Sequence, residues 1–404
     1  MSLLAIDETD KLGKQGGKDS PPLSNHPFLR LGFRPFYLLG AAFAALSIPA
    51  WLLRYYGSAH SFAHIDLNWH AHEMVYGFAV AIIVGFLYTA GRAWTGLWTP
   101  RGGPLAAIVL LWLAGRVAML LAPPLPAALA DLLFLPVAAV PLYRVLHRAG
   151  NKRNLFLILL LALLALGNLG FHAARLGWIS VSPVHMVHVA IMIIVMMEAA
   201  IGGRVIPNFT ASAIPGAQPV TDERRDSITL ALTAGAGIVW ALALPAYVVA
   251  SVAGAAAVAQ TMRLAGWKPL CTLRSPLLWI LHASYAWLAL GLALLAMAAL
   301  GLVAATAAFH VLAVGSMAGL IIGMITRTAL GHTGRPLQAG ASETAMYLLM
   351  QAGVASRLLA AVGPAATSDV ALVISAACWS LAFFTYIAVY GPYLLRTRID
   401  GKDG

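Results

Sequence analysis

Asn68-Trp69-His70-Ala71-His72-Glu73-Met74 opens directly into the apolar run Val75 to Ala90. Two imidazoles and a carboxylate at the mouth of a segment long enough to cross a bilayer are costly unless they are paired or bind a metal. The arrangement recurs. His185 and His188 open the apolar run that ends at Gly202-Gly203-Arg204, and His310 opens the run that ends at Thr326-Arg327. His72 precedes Arg92 by twenty residues, His185 precedes Arg204 by nineteen, and His310 precedes Arg327 by seventeen. At about 1.5 Å per residue these spacings cover roughly 25–30 Å, one hydrocarbon thickness. Each of the three helices therefore carries histidine at one face of the membrane and arginine at the other.

The rest of the chain fits that frame. Of its 404 residues 60% are hydrophobic and only 10% charged, with a mean hydropathy of +0.82, far from the quarter of charged residues usual in soluble domains. Apolar runs of spanning length fall at 35–53, 69–90, 104–122, 125–143, 154–173, 184–205, 227–244, 246–265, 276–298, 305–326, 343–362 and 368–391. The expected fold is all-α: a polytopic membrane protein of about twelve transmembrane helices forming a single domain over 31–395. Residues 1–30 are expected to form a disordered cytoplasmic tail, because Met1 to Pro22 is polar and has no apolar core of signal-peptide length. Residues 396–404 form a second cytoplasmic tail. Helices two, six and ten lie four apart, which suggests three pseudo-repeated four-helix units, the arrangement known from the catalytic subunit of haem-copper oxidases.

With the N-terminus inside, 22 of the 26 lysines and arginines fall on the inner side; the other four are Arg54, Arg116, Arg175 and Arg357. The formal charge of +11 is thereby spread over short loops, which excludes the single basic face of a nucleic-acid binder. Even-numbered helices then start at the outer face. His70, His72, His185, His188 and His310 share one outer depth, with Asp131 and His172 at a similar level on helices four and five. Cys271 and Cys378 lie far apart, so there is no CxxC pair, c-type haem site or thiolate cluster.

Imidazole is a favoured intramembrane ligand for haem iron and copper, so the five outer histidines are the candidate metal ligands. Each alone is equally well explained as an interfacial residue satisfied by a carbonyl or water. His185 and His188, spaced i and i+3, share a helix face. His70 and His72 do not, and serve one site only if the helix begins near Ala71; otherwise they serve two. Glu73 adjoins His72 and suits the role of orienting a ligating histidine. Glu198, mid-membrane and ten residues inward of His188, suits proton transfer, and the alternative for it is a buried pair with a neighbouring arginine. Met192, Met196 and Met197 on the same helix read as packing. Arg92, Arg204 and Arg327 anchor inner helix ends. If a haem lies in the outer half, its propionates need cations there, and the topology leaves only Arg54, Arg116, Arg175 and Arg357, of which Arg54 and Arg116 are the candidates; each is equally explained as an ordinary interfacial residue. His282 and His332 lie at the wrong depth for the cluster.

The stretches Gly32-Phe33-Arg34-Pro35-Phe36-Tyr37, Trp69-His70-Ala71-His72-Glu73-Met74, Gly203-Arg204-Val205-Ile206-Pro207-Asn208 and Thr326-Arg327-Thr328-Ala329-Leu330-Gly331-His332-Thr333-Gly334-Arg335-Pro336 resemble the NnrS family. Members are bacterial inner-membrane proteins of twelve predicted helices, associated with nitric oxide metabolism and denitrification and described as containing haem and copper. The resemblance runs from Arg30 to Arg398. It implies haem b and copper held by histidines, without saying which histidine serves which metal, and a cell inner membrane location. The chain departs from haem-copper oxidases: Ser227 to Leu244 has no histidine, and the tenth helix has only His310. If iron and copper sit together, the copper set has to come from helices two and six, with His310 left for haem.

The function expected from this resemblance is nitric oxide handling, by reduction and detoxification or by relief of nitrosative stress, in contact with the lipid bilayer. Turnover would need a separate electron donor, since no loop exceeds about twenty residues. Two other classes stay open: a membrane transporter, and a haem-based gas sensor or assembly factor without turnover. Against transport, no pair of broken helices stands in matching positions.

Overall fold

The computed structural model describes residues 26–57 and 64–402. Residues 1–25, most of the expected N-terminal tail, lie outside them; the described part of that tail begins at His26, whose side chain caps a short 3₁₀ turn at Pro27–Leu29. Among the described residues there are no strands, and twelve long helices follow one another. In chain order they are α1 (Phe33–Tyr55), α2 (Leu67–Thr95), α3 (Gly103–Leu121), α4 (Pro124–Arg148), α5 (Phe156–Arg175), α6 (Pro183–Ala213), α7 (Glu223–Ala241), α8 (Ala246–Gly266), α9 (Pro276–Ala299), α10 (Ala305–His332), α11 (Ala341–Val362) and α12 (Ala365–Leu395).

Eleven of these helices are long and apolar enough to cross a membrane. The exception is α7, counted as a span from the sequence. It opens with Glu223-Arg224-Arg225-Asp226, so its apolar part is short, and it leans on α6 and α8. Proline stands in the first turn of α3, α4, α6 and α9, where no intrahelical donor is lost.

α2 and α10 are the most enclosed helices: 83% and 78% of their most apolar stretches are buried, against 28–61% for the others. They also share one construction. Each begins with six α-helical residues ending on a histidine, His72 or His310. Each then widens into a π-helical segment, Glu73–Ala79 or Val311–Ala318, before returning to α. π turns are rare, and they tend to mark functional positions. In both helices a glycine stands five residues after the histidine, where a neighbour presses on the backbone. A Cβ on Gly77 would lie 2.7 Å from a Glu73 oxygen and from Phe43; one on Gly315 would lie 2.7 Å from Trp287. α2 and α10 thus share one local construction. It does not extend to α6, whose 31 residues are continuous α-helix.

The first and last helices close the bundle. α1 packs along α12, and the buried guanidinium of Arg34 donates to Leu394 O at 2.9 Å and Arg396 O at 2.7 Å, a cation on orphaned carbonyls at a helix C-terminus. Arg263 reaches to α6 to donate to Ala199 O at 2.7 Å and pairs with Asp226 at 2.9 Å. Its guanidinium occupies the space a side chain at residue 203 would need, which explains Gly203. Beyond α12, Ile399 N donates to Thr333 O at 3.3 Å and Arg398 to His332 O at 3.3 Å, so the described part of 396–404 docks on the end of α10.

Candidate functional site

Asp66 starts the site by capping α2, its Oδ1 accepting from Trp69 N at 2.7 Å. With the helix running regularly from Leu67, His70 and His72 point to different neighbours. The helix thus does not begin near Ala71, the condition under which the two would serve one site.

His72 turns toward α3, α4 and α5 into a buried polar group. Its Nδ1 donates to Glu73 Oε1 at 2.9 Å, and its Nε2 faces Asn168 Oδ1 at 2.9 Å and Asp131 Oδ2 at 3.1 Å. Arg116 donates to both Glu73 oxygens, at 2.7 and 2.8 Å, and to Asp131 Oδ1. Asp131 Oδ2 also accepts from Asn168 Nδ2 at 2.7 Å and from His172 Nε2 at 2.9 Å. His72 lies between the rings of Tyr76 and Phe171, at 4.9 and 4.5 Å. All six polar residues are buried.

The charges balance. Both ring nitrogens of His72 face oxygens, so both donate and the ring is an imidazolium. Two carboxylates then meet one guanidinium and one imidazolium, and the group is neutral with His172 uncharged. A neutral set, hydrogen-bonded throughout except at Arg116 Nε, is a form in which four ionisable groups can be buried together without a large penalty. The π segment is part of this fit. Gly77 leaves room for Arg116 to pass over α2 to Glu73, and Gly77 O accepts from Trp112 Nε1 at 2.9 Å.

Among the described residues, His72, Asp131 and His172 form the one group of three or more His, Cys, Asp or Glu side chains whose ligand atoms all lie within 4.8 Å of one another. Asp131 and His172 stood out in the sequence only as polar residues at the right depth, and were not placed in the site. Asn168 was missed altogether. It stands one turn before His172 on α5, and a lone amide inside Phe156–Arg175 was the available signal.

His70 turns the other way. Its ring stacks on Trp51 of α1, centroids 4.2 Å apart, and its Nδ1 is buried without a hydrogen-bond partner. His310 Nδ1 lies 2.8 Å from Thr306 O and 3.3 Å from Arg357 of α11. His70 and His188 are within electrostatic reach of His310. His188 stacks face to face on Phe309, centroids 3.7 Å apart, and Trp240 lies beside both His185 and His188. His185 Nε2 donates to Ala241 O at 3.1 Å. The result is a wall of histidine and aromatic rings at one level, drawn from α1, α2, α6, α7 and α10.

The remaining candidates stand apart. Arg54 sits in the last turn of α1 with its Nε unpartnered. Glu198 lies deeper on α6, where Ser316 donates to its Oε2. His282 is engaged locally, with Leu278 O at 3.1 Å and Thr210 Oγ1 at 3.4 Å.

These features define an all-helical, polytopic membrane protein with a buried histidine–carboxylate group able to hold a metal ion. The chain belongs to the NnrS family: the family model described as NnrS protein matches residues 27–398. No curated protein matches the sequence.

Proposed function

We propose that this protein is a metalloprotein of the bacterial inner membrane that handles nitric oxide, with copper at the His72–Asp131–His172 group and haem b against the His70–His310 wall. The reading is carried by the convergence, from three helices, of two imidazoles and a carboxylate in a buried part of the bundle. That donor set fits copper: imidazole is among its preferred ligands, and a carboxylate oxygen completes a mixed nitrogen and oxygen site. His72 Nε2 and His172 Nε2 both point at Asp131 Oδ2, and His72 would give up its Nε2 proton on ligation, so that a copper(I) ion would take the place of the imidazolium charge. Glu73 holds the far nitrogen of His72, and Arg116 and Asn168 hold Asp131, the outer support that fixes ligand orientation.

Haem fits the other face. His70 offers an orphaned buried nitrogen, His310 a second imidazole, and Arg357 and Arg54 supply cations for carboxylate side arms at the same end of the bundle. Arg116, committed to Glu73 and Asp131, serves the copper side instead. When bound, the two metals supply nitric oxide coordination and one-electron chemistry. The chain's own residues orient the ligands, exclude water and keep the buried charge balanced. Nitric oxide is neutral and lipid-soluble, so it reaches a site between helices without a pore. Turnover draws electrons from a separate donor. The 22 inner basic residues support cytoplasmic termini.

The test is the optical spectrum and metal content of protein purified from a haem-replete, copper-supplied host, native and with His70, His72, His172 and His310 each changed to alanine. Copper lost in the His72 and His172 variants, with the haem band lost in one or both of the others, is the expected pattern. A colourless, metal-free native protein overturns the reading.

A further inference from the structure

Below the histidine level the bundle holds a cavity of about 110 Å³ between α1, α2, α6, α9 and α10. Its walls include Ile82, Phe86, Ile201, Met317 and Ile321, and apart from Glu198 and Tyr37 every lining residue is aliphatic, methionine, phenylalanine or glycine. On α10 the first lining residue, Met317, comes seven residues after His310, which places the cavity about 10 Å inward of the histidines. Glu198 borders it with an atom that nothing satisfies. Its Oε2 accepts from Ser316, while its Oε1 is buried without a hydrogen-bond partner.

The protonation form follows from these contacts. A carboxylate inside a span with no cation beside it is costly, and among the described residues Glu198 makes no ion pair with Arg, Lys or His. Glu198 is therefore the neutral acid. With Oε2 taken up by the serine hydroxyl, the acid proton sits on Oε1, the unpartnered oxygen of a residue that lines the cavity. Such a space does not suit water, which needs two to four polar partners where this wall offers few. Apolar cavities of about 150 Å³ stay dry and admit xenon or benzene in other proteins.

We propose that this cavity is a binding site for a small uncharged diatomic gas entering from the bilayer, with the Glu198 carboxylic acid as the hydrogen-bond donor that holds it. Naming the gas as nitric oxide rests on the function proposed above; the cavity itself does not. The site lies on the same three helices that carry the outer histidines, so it stores the gas next to the level where metals are proposed to bind.

Two measurements on the purified full-length protein test this. Xenon is the first probe, read by xenon NMR or by crystals under xenon pressure. We expect one xenon at the Glu198 cavity, and Ile201→Phe, which fills the space, to lower its affinity by about tenfold or more. Glu198→Gln keeps the xenon site. Infrared difference spectra with nitric oxide are the second measurement. The deuterium-sensitive carboxylic C=O band of Glu198 should shift when the gas is added, move in Ser316→Ala, and vanish in Glu198→Gln.

Ordered water on Oε1 with no xenon overturns the proposal. So does an ionised Glu198 with no carboxylic band. Xenon bound with a carboxylic band that nitric oxide leaves unmoved overturns the assignment of gas and donor. Because neither readout needs a bound metal, a metal-free preparation that still takes up xenon and shifts the band would sink the metalloprotein reading while leaving this one standing.

Discussion

Glu73 and Glu198 are both buried glutamates in apolar helices, and the bundle treats them in opposite ways. Glu73 is surrounded: Arg116 reaches both of its oxygens and His72 donates to one. Glu198 has one hydroxyl and a cavity. The difference is counter-charge. Four helices bring two cations to the two carboxylates of the His72–Asp131 group, so these four side chains stay ionised and locked in place. Among the described residues no cation pairs with Glu198, so it keeps its proton and one oxygen remains without a partner. A charge-balanced polar group with nearly every atom paired is suited to holding a geometry; a lone acid in an apolar space is suited to a weakly bound neutral guest.

The contrast breaks most severely at Arg116. Arg116→Leu removes the guanidinium shared by Glu73 and Asp131 and leaves two buried carboxylates facing one imidazolium. We expect a loss of about 3–5 kcal/mol, seen as a collapse of thermal stability in detergent and of membrane yield. A loss below about 1 kcal/mol, the range of exposed pairs, would mean that water reaches the group.

Glu73→Gln separates orientation from charge. The amide keeps the shape of the side chain but weakens its hold on His72 Nδ1. Copper affinity should fall by about 10–100-fold, the usual effect of removing an outer support of a ligand, while His172→Ala abolishes copper binding. Unchanged copper content in both variants would place the metal elsewhere.

The two π segments offer an internal comparison. Gly77→Ala sets a methyl 2.7 Å from Glu73 Oε2 and 3.0 Å from Arg116 Nη1; Gly315→Ala sets one 2.7 Å from Trp287 and 2.9 Å from Val354. Overpacking of either should cost about 1–3 kcal/mol, read as a lowered melting temperature. Only the Gly77 variant should also lose copper, because only there does the methyl displace an ion pair. Equal copper content in the two would detach the π turn of α2 from the metal group.

Much of this arrangement was legible in the sequence. Apolar length located the helices, and the His-to-Arg spacing the common depth of His70, His188 and His310. Depth alone, however, does not say which helices are neighbours. That is why Asp131 and His172 were recognised as level with His72 yet not joined to it, and why Arg116 was read as a haem partner before its two carboxylates were known. The π turns left no trace, since one extra residue in a turn does not alter an apolar run. α7 was counted as a span because Ser227 to Leu244 reads apolar once the charged first turn is set aside.

The smallest expected effect is the most informative about Glu198. Its carboxylic acid makes one hydrogen bond and no ion pair, so Glu198→Gln replaces a neutral donor–acceptor with another of the same shape, and stability should change by less than about 1 kcal/mol. The same substitution at Glu73 disturbs an ionised partner of Arg116 and should cost clearly more. Thermal melts of the two variants side by side therefore test the protonation argument directly. Were Glu198→Gln as damaging as Glu73→Gln, Glu198 would have to be ionised and paired in the native protein. The unpartnered oxygen of Glu198, and with it the donor proposed to hold the gas, would then be lost.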